Sequence, residues 1–212
     1  MVLSPATQRQ AAQFALADSL CSIALDQQDR VVYAPTWHRA GPGRYDSSRV
    51  QALDVGTGAL RSYPDPQFPS GPSFDEQRRV LYVGDTARPE LFTIDAATGT
   101  TATVALPSKI NRVAISPKNG RLFMTSPETN KVLVYDPAVG AVVATVAVEQ
   151  RPWGAVADPS GGRVLVSNEL SGSVSLLDAS TNQVVRTTPT GSHPRNLAVD
   201  GEHGRFYVVN AA

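Results

Sequence analysis

Two sets of recurring residues run through this chain at nearly the same period, and a chain built that way folds as a series of like units. Arginines that follow a turn and precede an apolar run stand at Arg30, Arg79, Arg121, Arg163 and Arg205, the last three steps each 42 residues. A second ladder, Asp54, Asp95, Asp136 and Asp178, steps by 41, 41 and 42. Four positions after each aspartate comes Gly58, Gly99, Gly140 or Asn182. An Asx turn accounts for both members of the pair: the carboxylate accepts backbone N–H groups while the Gly or Asn takes a left-handed conformation.

The clearest unit is 151–192. Ala155-Val156-Ala157 reads as a short strand of small residues, and Asp158-Pro159-Ser160-Gly161-Gly162 as a turn in which Pro sets φ and Gly supplies positive φ. Arg163 to Ser167 is nearly all apolar, as a strand buried on both faces requires. Val174 to Leu177 and Val184 to Thr187 are a third and a fourth strand. Four strands in about 42 residues is the repeat of a β-propeller blade. Ala24, Ser73, Ala114, Val156 and Ala198 keep the expected innermost strands slim where blades converge on an axis. The chain is therefore expected to be all-β, a β-propeller of about four and a half four-stranded blades. The repeats are about 20–66, 67–107, 108–150, 151–192 and an incomplete 193–212. Residues 10–17 are expected to form the outer strand of an earlier blade, with an amphipathic helix over 7–20 as the alternative. Four and a half units suit a segment of a larger ring. An open arc would expose Phe206, Val208 and Val209 and favour self-association.

Composition narrows the function classes. Lys and Arg number 19, Asp and Glu also 19, so a general polyanion-binding character does not follow from net charge. One cysteine, Cys21, excludes an internal disulfide and a multi-cysteine metal site. No apolar run approaches a membrane span, and the first twenty residues lack a basic leader followed by a hydrophobic stretch, so no signal peptide is read here.

Residues 151–192 resemble the YVTN family of β-propeller repeats. The entry Pro152-Trp153-Gly154, the second strand Arg163-Val164-Leu165-Val166-Ser167-Asn168 and the third strand Ser173-Val174-Ser175-Leu176-Leu177-Asp178 carry the likeness. It extends through Phe206-Tyr207-Val208-Val209-Asn210 and fades toward residues 20–107. The resemblance implies a bacterial or archaeal protein of the surface or periplasm, usually with seven blades, some of them binding nucleic acid or partner proteins. No Trp-Asp dipeptide ends a third strand, so the WD40 pattern fits less well.

In a propeller, loops leaving the outer strands and loops joining second to third strands open on one face. Assigned this way, that face carries nine cationic against six acidic side chains, a balance of +3; the other carries seven against eleven, −4. Arg112, Trp153 and Arg195 are expected at corresponding points of successive blades, where cations and an aromatic ring would suit an anionic or base-stacking ligand. His193 stands beside Arg195. Trp37 and His38 lie in an insertion, 35–48, expected to be a loop. The bland alternative is solvated loop charge with a Trp covering the blade edge. No Gly-Xaa-Ser-Xaa-Gly, His-Glu-Xaa-Xaa-His or haem-attachment motif is present. The expected role is a non-catalytic binding or scaffold module without a cofactor, taking a protein partner or another anionic ligand such as nucleic acid. The alternative is a metal-dependent, lactonase-like hydrolase that would hold a divalent metal through Asn111, Asn168, Glu169, Asn196 and Asn210.

Overall fold

The computed structural model describes residues 2–3, 10–12, 19–20, 22–41, 44–64 and 66–211, and these form only strands, turns and connecting segments. The strands are β1 (Val2–Leu3), β2 (Gln10–Ala12), β3 (Ser19–Leu20), β4 (Ala24–Asp26), β5 (Val31–Gly41), β6 (Arg44–Asp54) and β7 (Leu60–Pro64). Next come β8 (Pro69–Asp75), β9 (Val80–Asp85), β10 (Glu90–Asp95), β11 (Thr101–Ala105), β12 (Val113–Ile115), β13 (Leu122–Ser126), β14 (Lys131–Asp136) and β15 (Ala141–Ala147). The last are β16 (Pro152–Ala157), β17 (Arg163–Asn168), β18 (Ser173–Asp178), β19 (Gln183–Pro189), β20 (Pro194–Asp200) and β21 (Arg205–Asn210).

Three four-stranded antiparallel sheets follow chain order from inner to outer strand: β8 to β11, β12 to β15 and β16 to β19. A first sheet joins β5, β6 and β7, with the short β3 and β4 both paired to β5. β20 and β21 make a two-stranded sheet after the fourth blade.

Period-2 alternation lets one strand serve two interfaces. Leu122, Met124, Leu133 and Tyr135 face Tyr82 and Leu91 of the second blade. Their neighbours Phe123, Val132 and Val134 face Val164, Val166 and Leu177 of the fourth. A third cluster joins Tyr33, Val50 and Ala52 to Leu81, Val83, Phe92 and Ile94 between the first two blades. The buried residues sit between blades, so each blade is stabilised chiefly by its neighbours.

The Asp ladder forms the turns its spacing implies. Gly56 and Thr57 N–H groups donate to Asp54, that of Thr98 to Asp95, that of Ala138 to Asp136, and those of Ser180 and Thr181 to Asp178. Gly58, Gly99, Gly140 and Asn182 all have φ between 57° and 76°.

The Arg ladder is not one structural position. Arg121 pairs with Asp136 at 3.2 Å, and Arg163 stands opposite Asp178 in the third strand. In the first two blades Val31 and Val80 hold that place, opposite Asp54 and Asp95. Arg30 and Arg79 fall one residue earlier, in the turn, with φ of 57° and 59°. Gly120 in the third blade and Gly204 before β21 take the corresponding left-handed conformation.

Three other expectations change. The 35–48 insertion is not a loop: it lengthens the β5–β6 hairpin, with Thr36 opposite Arg49, Trp37 opposite Ser48 and His38 opposite Ser47. Of the segment 10–17, residues 10–12 form β2 and pair with Val2–Leu3, whereas 13–18 lie outside the described residues. On β21 the exposed apolar residues are Tyr207 (51%) and Val209 (59%), while Phe206 and Val208 are half-buried. Alternation puts adjacent residues on opposite faces, so Phe206 and Val208 share one side and Val209 the other. Ile23 and Leu25 are similarly exposed beside the first blade.

Candidate functional site

Successive blades are tied by a repeated hydrogen-bond device. Near the end of the second strand a hydroxyl accepts a backbone N–H of its own inner segment and donates to a carbonyl of the next blade. Thr125 accepts from Arg112 N and donates to Trp153 O, each at 3.0 Å. Ser167 accepts from Gly154 N at 2.8 Å and donates to Arg195 O at 2.9 Å. Trp153 and Arg195 are thus equivalent, and the third member of the set is Asn111. The Asn111 amide donates to the same Trp153 carbonyl at 3.0 Å, and its oxygen accepts from Ser70 at 2.8 Å.

Arg112 therefore falls one residue away from the position of Trp153 and Arg195. It is equivalent to Gly154 and Asn196, as the strand registers of Val113, Ala155 and Leu197 show. Arg112 lines a channel of about 510 Å³ between the inner strands and donates to Asn196 Oδ1 at 3.3 Å. Arg151 joins Trp153 and Arg195 instead. The Arg151 and Arg195 guanidinium carbons lie 5.4 and 5.2 Å from the Trp153 ring centroid. Such cation–π contacts contribute about 0.5–1 kcal/mol each where water reaches them.

Glu169 holds both arginines. It leaves the end of β17, is 1% exposed, and bonds Arg195 Nε at 2.7 Å through Oε1. Its Oε2 lies 3.1 Å from Arg151 Nε, close enough for an ion pair but without hydrogen-bond alignment. The backbone closes the same loop, with Glu169 N donating to Arg151 O at 2.9 Å. Arg151 takes a φ of 54°, and its N–H is received by Asn130 Oδ1 at 2.9 Å.

Beside this cluster a groove of about 420 Å³ opens between the second, third and fourth blades. Thr86, Lys109, Asn111, Glu128 and Arg151 give it polar walls; Ile110, Pro127 and Trp153 give it apolar ones. Lys109 pairs with Glu128 at 3.1 Å.

The other sequence candidates lie elsewhere. His193 holds the position of Arg151 one repeat later; it is exposed, with φ 49°, and its carbonyl receives Ala211 N at 3.0 Å. Trp37 is half-buried on the lengthened hairpin and does not line the groove; its indole N–H has no partner among the described residues. The side chain of His38 lies outside the described residues.

Members of the proposed metal set are engaged in hydrogen bonds with the protein. Asn168 donates to Ser173 and Ser175 within its own blade, and Asn210 donates to Thr190 O at 2.8 Å. Glu169 already faces two guanidinium groups, which would repel a cation. Among the described residues no three His, Cys, Asp or Glu side chains gather as metal ligands. Arg151 and the clamping role of Glu169 were missed from sequence. The available signal was the 42-residue interval that makes Lys109, Arg151 and His193 equivalent.

No protein-family model matches the chain, and none of the curated protein sequences is similar to it. Solved structures share its fold. A functionally unknown protein from Desulfotomaculum acetoxidans matches with a TM-score of 0.78 at 14% identity, over 93% of this chain and 64% of that one. The β-propeller domain of Cps50 from Myceliophteria thermophila matches at 0.74 and 13%, over 94% and 64%. The hydrazine synthase of Kuenenia stuttgartiensis matches at 0.58 and 20%, over 61% and 38%. The chain thus spans less than two thirds of each of these chains, and the likeness establishes the β-propeller fold alone.

Proposed function

We propose that this chain is a non-catalytic binding or scaffold module of the YVTN type, with an extracytoplasmic setting, that takes an anionic partner on the face carrying Arg151, Trp153 and Arg195. The observation behind this is the pair of guanidiniums held over one indole by a buried carboxylate. Placing two cations side by side costs Coulomb energy, which Glu169 offsets from below while both arginine side chains stay nearly half exposed. An anion arriving from solvent gains from both. The engagement of Asn111, Asn168, Glu169 and Asn210 in loop and blade ties favours this role over a metal-dependent hydrolase.

The test is a titration of the 212-residue chain with labelled decaglutamate and with a labelled uridine decamer at rising salt. Binding of at least one probe, weakening with salt and lost in Arg151→Ala/Arg195→Ala, is the expected result. Failure of both probes to bind, or binding untouched by the double change, would overturn the proposal.

A further inference from the structure

We infer that the groove between Lys109 and Trp153 is a subsite for a single carboxylate of an acidic peptide, with Arg151 as the residue that reads it. This rests on the anionic partner proposed above and names its class. Four observations carry it.

The first is the state of Arg151. Its Nε faces Glu169, and its two terminal nitrogens hydrogen-bond to nothing among the described residues. Its side chain is 45% exposed and lines the groove. A guanidinium donates through two parallel N–H bonds to a carboxylate, so an oriented arginine with its fork unused is half of a bidentate pair.

The second is preorganisation. Arg151 is tied at its backbone N–H by Asn130, at its carbonyl by Glu169 N, at its Nε by the Glu169 carboxylate and along its guanidinium by Trp153. The entropy of ordering a long side chain has been met in the free protein, which lowers the cost of binding.

The third is charge. Around the groove stand Lys109, Arg151 and Arg195 against Glu128 and Glu169, three positive and two negative side chains. A balance of +1 suits one carboxylate. The repeated phosphates of a nucleic acid would meet Glu128 on the rim, which is well exposed. The Trp153 ring is also already engaged by two guanidiniums, so it is a poor platform for stacking a base.

The fourth is shape. Ile110, Pro127 and Trp153 provide apolar wall beside the charge, which suits the methylene stem and backbone of an acidic residue. About 420 Å³ lies within the usual range for a ligand pocket and accommodates one or two residues of a peptide.

The experiment compares blocked pentapeptides that differ only in a central Glu or Gln, alongside a uridine decamer, on the 212-residue chain. The readout is the indole N–H resonance of Trp153, assigned by its loss in Trp153→Phe. The Glu peptide is expected to shift that resonance and bind at least about tenfold more tightly than the Gln peptide. Arg151→Met, which keeps the stem and loses the fork, should abolish the difference. Arg151→Lys should retain only part of it, because a point charge replaces a bidentate donor. Lys118→Ala, the same charge loss in the β12–β13 turn at the other end of β13 from the groove residues Pro127 and Glu128, should change neither affinity by more than about twofold. The Glu-versus-Gln comparison needs no variant and so survives any folding defect. Equal binding of the two peptides, or a preference unchanged in Arg151→Met, would overturn the inference. Binding of the decamer alone would overturn it while leaving the broader proposal standing, and failure of every anion to bind would remove both.

Discussion

Arg79, in the turn before β9, lays its two terminal nitrogens against the two carboxylate oxygens of Asp26 in the first blade, each 2.5 Å away. Asp26 is 1% exposed. The same guanidinium bonds Asp29, approaches Glu76 and lies 5.1 Å from the Phe74 ring centroid, and Phe74 in turn stacks on Tyr33 at 5.6 Å. One side chain thereby bridges two blades by charge and by packing.

Arg79→Ala should cost about 3 kcal/mol of stability, because it strands a buried carboxylate. Arg79→Lys should recover only part of that, lacking the planar fork. Chemical denaturation of the three proteins at neutral pH measures both. A loss under about 1 kcal/mol for Arg79→Ala would show that the bridge is not energetically coupled.

The same pair gives an acid limb. Burial pushes the Asp26 carboxyl up, and the hydrogen bonds from Arg79 and from the Asp29 backbone outweigh it, leaving the pKa below its ordinary value. A carboxyl with a depressed folded pKa stabilises the fold above its unfolded value near 3.9, and that contribution is lost as pH falls through the folded pKa. The wild type should therefore lose stability from about pH 4 downward, and Arg79→Ala should show a shallower limb. Thermal melts at half-unit intervals of pH test this.

A second acid-sensitive set is the Asp ladder. Backbone N–H groups, foremost that of Thr57 for Asp54, that of Thr98 for Asp95 and that of Thr181 for Asp178, hold these carboxyls below the ordinary range. For Asp136 burial acts upward, and the bonds from the Ala138 backbone and Arg121 overcome it. All four should contribute above the unfolded pKa and fade below it. Asn at these positions keeps an acceptor for the turn, so the quadruple Asn variant should fold yet melt with a flatter dependence on pH in the acid range. An unchanged pH profile would count against the turns as the source.

Gly154 offers a steric prediction. A Cβ there would stand 2.2 Å from the Arg195 carbonyl oxygen and 2.9 Å from Ser167 Oγ, so the blade-to-blade tie leaves no room for a methyl group. Gly154→Ala should destabilise by about 2 kcal/mol or more. Gly140→Ala meets nothing within 4 Å and should cost only about 1 kcal/mol, from its φ of 72°. Similar costs at the two positions would refute the close approach.

Glu169→Gln should lower stability by about 2 kcal/mol, since two guanidiniums lose their shared counterion at a buried position. Arg195→Met should cost less in that background than in the wild type, a coupling of about 1 kcal/mol in a double-mutant cycle. Strict additivity would mean that Glu169 and Arg195 do not act together.

How much was legible follows from what each feature depends on. Strand, turn and blade were readable because they are set by near neighbours: alternation along β13 and β14, Pro and Gly in the turns, Asp54 closing on Gly56 and Thr57. Phase was harder. The arginine before β9 sits in the turn while Arg163 opens β17, so equal spacing in sequence conceals a one-residue offset in space. Arg112 is in phase with Gly154 and Asn196, one residue past the position of Trp153 and Arg195, and so does not join their site.

The sequence by itself determined the repeat, the all-β class and the turns, because backbone preference and the burial of alternate residues act within a few residues of chain. Only the tertiary structure decided that Arg151, Trp153 and Arg195 would meet over Glu169, and that the insertion around Trp37 would extend a hairpin. Glu169 is 18 residues from Arg151 and 26 from Arg195, and no local pattern encodes which charges share a partner across that distance. That pairing is set by the Ser167-to-Arg195 tie and the packing of successive blades, which bring the loops within hydrogen-bonding reach only once the blades are stacked.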